Sequence, residues 1–310
     1  MSSGSWASGA SGASARSVAL HYETVGPEDA PPVLFLHGLT ASRRYWVPRV
    51  FPLAAGRRLL VPDLPGFGLS PKPQADYTPG FFAEALLGML DRECNTEKVS
   101  VVGHSLGAIL ALELLRRAPH RIDRLVLSSL PRFFDPEDAH QTLVAGSSKY
   151  RKLVAMDSLG ADLGQFRRTG WALTARYLRR LPWAAIADTR RFTYRSLTST
   201  LEHCLMHHDL DPIFPELPRI PTLLLHGDLD QVAPISRVIE LPFRHPFPAL
   251  QVLRGAGHHP LHTHLPLTLR VIRHHLDGKP PAVRGGDLET YLVLPPRGSF
   301  PDEGSAILQG

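Results

Sequence analysis

The chain has 310 residues, of which 43% are hydrophobic and 20% charged, and it carries a formal net charge of +5. This composition excludes a disordered or fibrous protein and allows one large domain with a sizeable core. The basic residues are scattered rather than gathered into one stripe, and no nucleic-acid-reading motif accompanies them, so no nucleic-acid partner is predicted.

The first 17 residues are rich in Ser, Gly and Ala, which is typical of a flexible leader. They lack the basic start and apolar middle of a secretory signal, and no apolar run in the chain approaches the roughly 18 residues that a membrane span needs. Cys94 and Cys204 are the two cysteines, a number that agrees with a reducing compartment. We therefore expect a soluble cytoplasmic protein without a membrane partner.

Between residues 18 and 130, short β-rich runs alternate with segments of helical period. The runs are VALHYETV, PVLFLHG, RRLLVPDL, KVSVVGHS and DRLVLSSL, and the predicted helices are 42–55, 81–92 and 106–118. Several runs are apolar on both faces, which is typical of strands covered by helices on each side. This alternation predicts an α/β fold with a doubly wound, mostly parallel sheet, whose first run forms an antiparallel edge strand.

The alternation stops at residue 131. Residues 131–218 contain no strand-like run and are predicted to form a helical insertion, because an ordinary connection takes only about 2–6 residues. Strand-like runs resume in residues 219–277, with a closing helix at 267–276, so that 18–130 and 219–277 form one core. Residues 278–310 form a Pro/Gly-rich tail in which only 290–294 is expected to be ordered.

The stretch GHSLG, residues 103–107, follows an apolar strand and precedes a helical run. The form G-x-S-x-G between a strand and a helix makes a sharp turn whose small residues let the two backbones approach, so that Ser105 projects from the sheet edge. The same turn directs the N–H groups of the helix start toward that edge. We therefore predict that Ser105 is a nucleophile rather than a turn filler.

A nucleophilic serine needs a base, and the base needs an orienting acid. Asp230 and His258 follow later strand-like runs, in the chain order Ser, Asp, His that accompanies this kind of elbow. In a parallel sheet all three side chains would meet at one edge. Asp228 and His259 lie in the same loops and are alternatives for the acid and the base.

These motifs together resemble the α/β-hydrolase fold family over residues 18–276. They are HGLTASRRYW (37–46), DLPGFGLSPKP (63–73), GHSLG, HGDLDQVAP (226–234) and GAGHHP (255–260). The resemblance implies a helical cap at 131–218 and an oxyanion hole made by the backbone N–H groups of Leu39 and Leu106. Its motif spacing favours Asp230 over Asp228. The Gly257–His258 junction favours His258 over His259, and His37, which precedes a tight turn, is expected to orient the oxyanion loop rather than to act as a second base.

The resemblance implies a serine hydrolase that cleaves a carboxylic ester, thioester or lactone through an acyl-enzyme, without a cofactor. The alternatives are a non-hydrolytic enzyme of the same fold (a lyase, cofactor-free peroxidase or cyclase) and a receptor that binds a ligand in the capped pocket. A dehalogenase or epoxide hydrolase would need a carboxylate in place of Ser105. Aromatic residues of the insertion either pack in a core or line the pocket; Trp171 and Trp183 are predicted to contact an apolar or aromatic small-molecule substrate, with core packing as the alternative. His203 and His207 lack a metal-binding motif around them, and no metal is predicted.

Overall fold

A mostly parallel sheet forms the centre of this computed structural model, which describes residues 15–94, 98–147, 150–151, 191–244, 249–279 and 290–293. Its strands are β1 Tyr22–Val25, β2 Pro32–Leu36, β3 Arg58–Pro62, β4 Val99–His104, β5 Ile122–Ser128, β6 Thr222–Gly227, β7 Ala249–Leu253 and β8 Thr290–Val293. The spatial order is β1-β3-β2-β4-β5-β6-β7-β8. Of these strands, only the outer two, β1 and β8, run antiparallel to their neighbours. The predicted fold class and the antiparallel edge strand near the start of the chain are confirmed.

The described residues also form seven α-helices. They are α1 Pro79–Cys94, α2 Leu106–Arg117, α3 Pro136–Gly146, α4 Tyr194–Thr200, α5 Leu241–Arg244, α6 Pro260–Thr263 and α7 Leu265–Leu276. A π-helical turn, Leu201–Met206, directly follows α4. The predicted helices 81–92, 106–118 and 267–276 correspond to α1, α2 and α7.

Alternate residues of the central strands pack on opposite faces of the sheet. On β2, Leu34 and Leu36 join the apolar cluster formed with α1 and α2, whereas Val33 and Phe35 join the cluster that contains Trp46 and α7 residues. All five β2 residues are buried, as expected for a strand covered on both faces. The hydrophobic effect thus fixes three layers, helix, sheet and helix.

The predicted helix 42–55 is wrong. The structure instead has two short 3₁₀ turns there, Arg43–Tyr45 and Phe51–Leu53. Pro48 and Pro52 explain the difference, because a proline has no N–H to donate and its ring clashes with the preceding helical turn.

The end of the predicted leader also has an ordered place. Residues Ala15–Ser17 form a 3₁₀ turn, and the Arg16 guanidinium pairs with Asp91 of α1 at 2.9 Å. The carbonyl of Arg16 lies against Gly88, where a Cβ atom would approach it to 2.1 Å.

The chain order of the strands places a topological switch between β2 and β4. The chain moves outward from β2 to β3 and then returns to the other side of β2 to form β4. In open α/β sheets the crevice at the carboxyl ends of the strands flanking such a switch is the usual place for a ligand. The loop after β2 and the turn after β4 both lie at this point.

Candidate active site

Ser105 occupies the sharp turn between β4 and α2. Its backbone has φ 54° and ψ −120°, a conformation that non-glycine residues rarely adopt. A Cβ atom on Gly103 would lie 2.2 Å from the Gly107 carbonyl oxygen, and one on Gly107 would lie 2.3 Å from that of Leu36. The two glycines therefore let the strand, the turn and α2 pack closely enough to hold Ser105 in this strained backbone.

The structure brings Ser105, His258 and Asp230 together in one hydrogen-bonded chain. Nε2 of His258 lies 3.1 Å from Oγ of Ser105, and Nδ1 of the same ring lies 2.9 Å from Oδ2 of Asp230. Because a carboxylate only accepts hydrogen bonds, Nδ1 carries the proton and Nε2 is left to accept one from the serine hydroxyl. The three residues follow β4, β6 and β7, whose parallel alignment delivers them to the same edge of the sheet.

Asp230 is buried and fully engaged. Its Oδ1 accepts from the backbone N–H groups of Val232 at 3.0 Å and Ala233 at 2.9 Å. Burial disfavours the charged form, but the charge and hydrogen bond of His258, with a smaller contribution from His226, outweigh it and lower the pKa of Asp230 below its usual 3.8. A carboxylate that is ionised at neutral pH thus faces the imidazole.

The two alternatives that the sequence left open have other partners. Oδ1 of Asp228 accepts from the backbone N–H of Gly255 at 2.7 Å, which braces the loop after β7. The His259 ring lies 5.0 Å from the His258 ring and 5.9 Å from the Tyr45 ring, centroid to centroid. The hydrogen bonds to Ser105 and Asp230 are therefore made by His258.

The loop after β2 runs beside Ser105. A Cβ atom on Gly38 would lie 3.2 Å from Cβ of Ser105, and the following Leu39 is only partly buried. Leu106 is the first residue of α2, so its N–H belongs to the unpaired first turn of that helix. Both N–H groups assigned to the oxyanion hole by resemblance thus belong to segments that border Ser105.

Two buried polar residues fix that loop. Nδ1 of His37 donates to the Gly38 carbonyl at 2.8 Å, and its Nε2 accepts from the Leu64 N–H at 3.0 Å. The Asp63 carboxylate, with no exposed surface, accepts from the Arg43 backbone at 2.7 Å and pairs with the Arg43 guanidinium at 3.1 Å. The loops after β2 and β3 are therefore tied together.

Two further buried histidines were not singled out from the sequence. His104 precedes the nucleophile, and its Nε2 lies 2.7 Å from the His258 carbonyl oxygen. His226 is near the end of β6, and its Nε2 lies 2.6 Å from the Ala233 carbonyl oxygen. The available signal was a histidine inside an otherwise apolar strand end, in VSVVGHS and in TLLLHG.

The predicted substrate contacts, Trp171 and Trp183, are not among the described residues. Within the described ranges, no group of three or more His, Cys, Asp or Glu side chains is arranged to hold a metal ion. In the same ranges no helix combines the length and apolarity needed to cross a bilayer.

The chain is similar to curated proteins over most of its length. A pimeloyl-[acyl-carrier protein] methyl ester esterase of Aeromonas hydrophila is 25% identical over 263 residues, covering 79% of this chain and 94% of the esterase. An uncharacterized protein of Mycobacterium tuberculosis is 26% identical over 283 residues, covering 81% of this chain and 77% of that protein.

Among solved structures, a thermophilic esterase from Thermogutta terrifontis superposes with a TM-score of 0.65 at 24% identity, covering 83% of this chain and 93% of the esterase. At this identity the likeness concerns the fold. The family model of the alpha/beta hydrolase fold matches residues 31–265, most of the chain. The chain therefore belongs to the alpha/beta hydrolase fold family.

Proposed function

We propose that this protein is a carboxylesterase-like serine hydrolase that cleaves a carboxylic ester, thioester or lactone through an acyl-enzyme on Ser105. The observation that carries the proposal is the unbroken chain from Ser105 Oγ through His258 to Asp230, with heavy-atom distances of 3.1 and 2.9 Å. A hydroxyl, a neutral imidazole and a buried carboxylate in this order are the groups that acyl transfer to serine requires.

In the first half of the reaction, Ser105 Oγ attacks the substrate carbonyl carbon while its proton passes to Nε2 of His258. Asp230 stabilises the resulting imidazolium through the hydrogen bond from Nδ1. His258 then gives the proton to the leaving alcohol or thiol, or to the ring-opened hydroxyl of a lactone, as the carbonyl–heteroatom bond breaks. Ser105 is left acylated.

In the second half, His258 takes a proton from a water molecule whose oxygen attacks the acyl carbon. Transfer of this proton from His258 to Ser105 Oγ breaks the bond between the serine and the acyl group, which releases the carboxylic acid and restores the enzyme. The backbone N–H groups of Leu39 and Leu106 donate to the oxyanion that forms in each half. Preorganised donors of this kind contribute about 3–4 kcal/mol each to transition-state stabilisation in serine hydrolases.

The names of the relatives support ester chemistry. One curated relative is a methyl ester esterase, and the thermophilic structural neighbour is an esterase. Position 105 is a serine rather than a carboxylate residue. This disfavours dehalogenase or epoxide hydrolase chemistry, in which a carboxylate is the nucleophile.

Catalysis at Ser105 is tested by Ser105→Ala, with Ser129→Ala as the matched control. Ser129 is a second buried serine, just past the end of the neighbouring β5, and among the described residues its hydroxyl makes no hydrogen bond to His258. Turnover of p-nitrophenyl esters by Ser105→Ala should fall on the order of 10⁴-fold in kcat, and Ser129→Ala should stay near wild type. A fluorophosphonate should label wild type once, at Ser105. Undiminished turnover by Ser105→Ala would overturn the acyl-enzyme.

We also propose that residues 131–218 form a cap that selects the substrate. This is supported by α4, whose Ser196 hydroxyl donates to the Gly66 carbonyl at 2.9 Å, in the loop after β3 at the same sheet edge as Ser105. Trp171→Ala and Trp183→Ala should change KM and acyl-chain preference with kcat largely retained. The contact that is lost would stabilise the bound substrate and the transition state equally. The measurement is kcat and KM across a p-nitrophenyl ester chain-length series. An equal loss of kcat for every chain length would contradict this role.

A further inference from the structure

Two imidazoles that take no part in the proposed proton transfers lie beside the hydrogen-bonded chain of Ser105, His258 and Asp230. His104 is 2% exposed and His226 is 1% exposed, each in a strand whose other residues are almost entirely buried. Burying an imidazole is unfavourable unless its ring nitrogens find partners. Nε2 of each ring has a main-chain carbonyl as its partner, and the two carbonyls belong to the loops that carry His258 and Asp230, whereas Nδ1 of His104 is buried without a hydrogen bond among the described residues.

His104 links the nucleophile to the base through the backbone. It precedes Ser105 in the chain, and its Nε2–H donates to the carbonyl of His258 itself at 2.7 Å, across 154 residues of sequence. The ring plane is set by Tyr45, which stacks on it with centroids 4.3 Å apart and planes 19° apart. The His104 ring thus holds the main chain of His258 in position relative to Ser105.

His226 does the same for the acid. Its Nε2–H donates to the Ala233 carbonyl at 2.6 Å, and the N–H of the same Ala233 donates to Asp230 Oδ1 at 2.9 Å. The peptide groups on both sides of Ala233 are therefore held, one by His226 and one by Asp230. Displacement of Ala233 would carry the carboxylate away from Nδ1 of His258.

We propose that His104 and His226 are positioning residues, each donating from Nε2 to a backbone carbonyl and so setting the distances within the Ser105–His258–Asp230 chain. Carbonyl oxygens only accept, so both rings must carry the Nε2 proton. Burial, reinforced for His104 by the neighbouring His258 and His259, lowers the pKa of both imidazoles and keeps them neutral. The inference rests on the proposed function only for its kinetic consequences, because the hydrogen bonds exist irrespective of the substrate.

The alternative is that these hydrogen bonds only stabilise the fold, as those of any buried polar group do. His275 on α7 provides the matched case, since its Nε2 bonds to the Pro221 carbonyl at 3.3 Å just before β6, at the opposite end of that strand from Asp230. His275→Leu also loses a mostly buried imidazole and leaves a carbonyl without this donor. It should cost stability without disturbing the proton transfer.

The experiment compares His104→Leu, His226→Leu and His275→Leu with His104→Gln and His226→Gln, whose side-chain amides retain an N–H donor. Displacements of about 1 Å cost on the order of 100-fold in rate, so the two Leu variants near Ser105 should lose about 10- to 100-fold in kcat with KM changed less than about twofold. The Gln variants should recover most of that loss, and His275→Leu should keep wild-type kcat. Equal kcat for Leu and Gln at both positions would overturn the proposal.

A second readout needs no substrate. The proton on Nδ1 of His258, held by Asp230, gives a low-field ¹H signal that should be present in wild type, both Gln variants and His275→Leu, and weakened or shifted in His104→Leu and His226→Leu. An unchanged signal in folded Leu variants would also overturn the positioning role. If wild type and the variants show this pattern of signals but wild type has no Ser105-dependent ester turnover, the proposed function fails and the positioning role stands.

Discussion

The strained backbone of Ser105 belongs to the residue that we propose as the nucleophile. A φ of 54° in a serine costs on the order of 1–3 kcal/mol and persists only where the surroundings enforce it. Thr40, in the loop that borders the nucleophile, is also left-handed, with φ 58°. The neighbouring β4, α2 and the loop after β2 therefore maintain these two conformations at the expense of fold stability.

At the residue scale, the acid can be identified by comparing two conservative substitutions in one loop. Asp230→Asn should reduce kcat on the order of 10⁴-fold, because a carboxamide on Nδ1 of His258 favours the wrong tautomer and cannot stabilise the imidazolium. Asp228→Asn should change kcat little, since the oxygen that accepts from Gly255 is retained. Steady-state kcat of the two variants decides the matter, and a larger loss for Asp228→Asn would assign the acid to Asp228.

At the element scale, the close approach of α2 to β2 brings the start of the helix to residues 37–39. No side chain fits between them at Gly107, because an added Cβ would lie 2.3 Å from the Leu36 carbonyl oxygen and 2.9 Å from that of His37. Both oxygens belong to backbone, which cannot swing aside as the end of a side chain can. The contact therefore couples helix packing to the geometry of residues 37–39.

Gly107→Ala should consequently destabilise the protein by about 3 kcal/mol, the upper part of the range for overpacking. Gly56→Ala is the matched control. Gly56 has φ 78°, but no atom of the described residues lies within 4 Å of where the added methyl group would stand, so that only about 1 kcal/mol of backbone strain is expected. Urea unfolding gives both free energies, and ester turnover should fall only in Gly107→Ala. A smaller loss at Gly107 than at Gly56 would show that the helix can move away.

At the scale of the whole molecule, neutral buried histidines make the fold sensitive to acid. Burial, with a contribution from Arg124, lowers the pKa of His275 from 6.5 to about 4. Between these values the unfolded chain binds a proton that the folded chain does not, so stability is complete above about pH 6.5 and is lost as the pH falls toward 4. His104, His226 and His262 have lowered pKa values as well and act in the same direction.

The free energy of unfolding should therefore fall between about pH 7.5 and pH 5, and His275 should account for about 2 kcal/mol of the fall. The measurement is urea unfolding at both pH values for wild type and His275→Leu, whose fall should be smaller by that amount even though the variant is less stable throughout. The lowered pKa of Asp230 acts in a separate window, below about 3.8. Equal falls in the two proteins would contradict a neutral His275.

Much of the fold follows from residue patterns, because apolar runs such as VLFL and LVLSSL need cover on both faces and the helical segments between them can provide it. Chain order and the parallel sheet predict that Ser105, an Asp near residue 230 and a His near residue 258 meet at one edge. The choice of Asp230 over Asp228 needed the motif spacing of the family resemblance, and the choice of His258 over His259 needed the Gly257–His258 junction. The roles of His104 and His226 could not, since their acceptors are carbonyls that carry no side-chain signature. The helix predicted over residues 42–55 is wrong because their apolar spacing is helical although Pro48 and Pro52 prevent a helix.

The short strand β8 has a consequence for the molecule in solution. Thr290–Val293 pairs with β7, and the Thr290 hydroxyl donates to the Val252 carbonyl at 2.7 Å. Without this strand, β7 would become the rim of the sheet and present a row of unmatched N–H and C=O groups, which are the template for strand-to-strand pairing between molecules. β8 pairs with these groups of β7 and takes the edge position itself. The loop that carries His258 therefore emerges from an interior strand rather than from the exposed edge of the sheet.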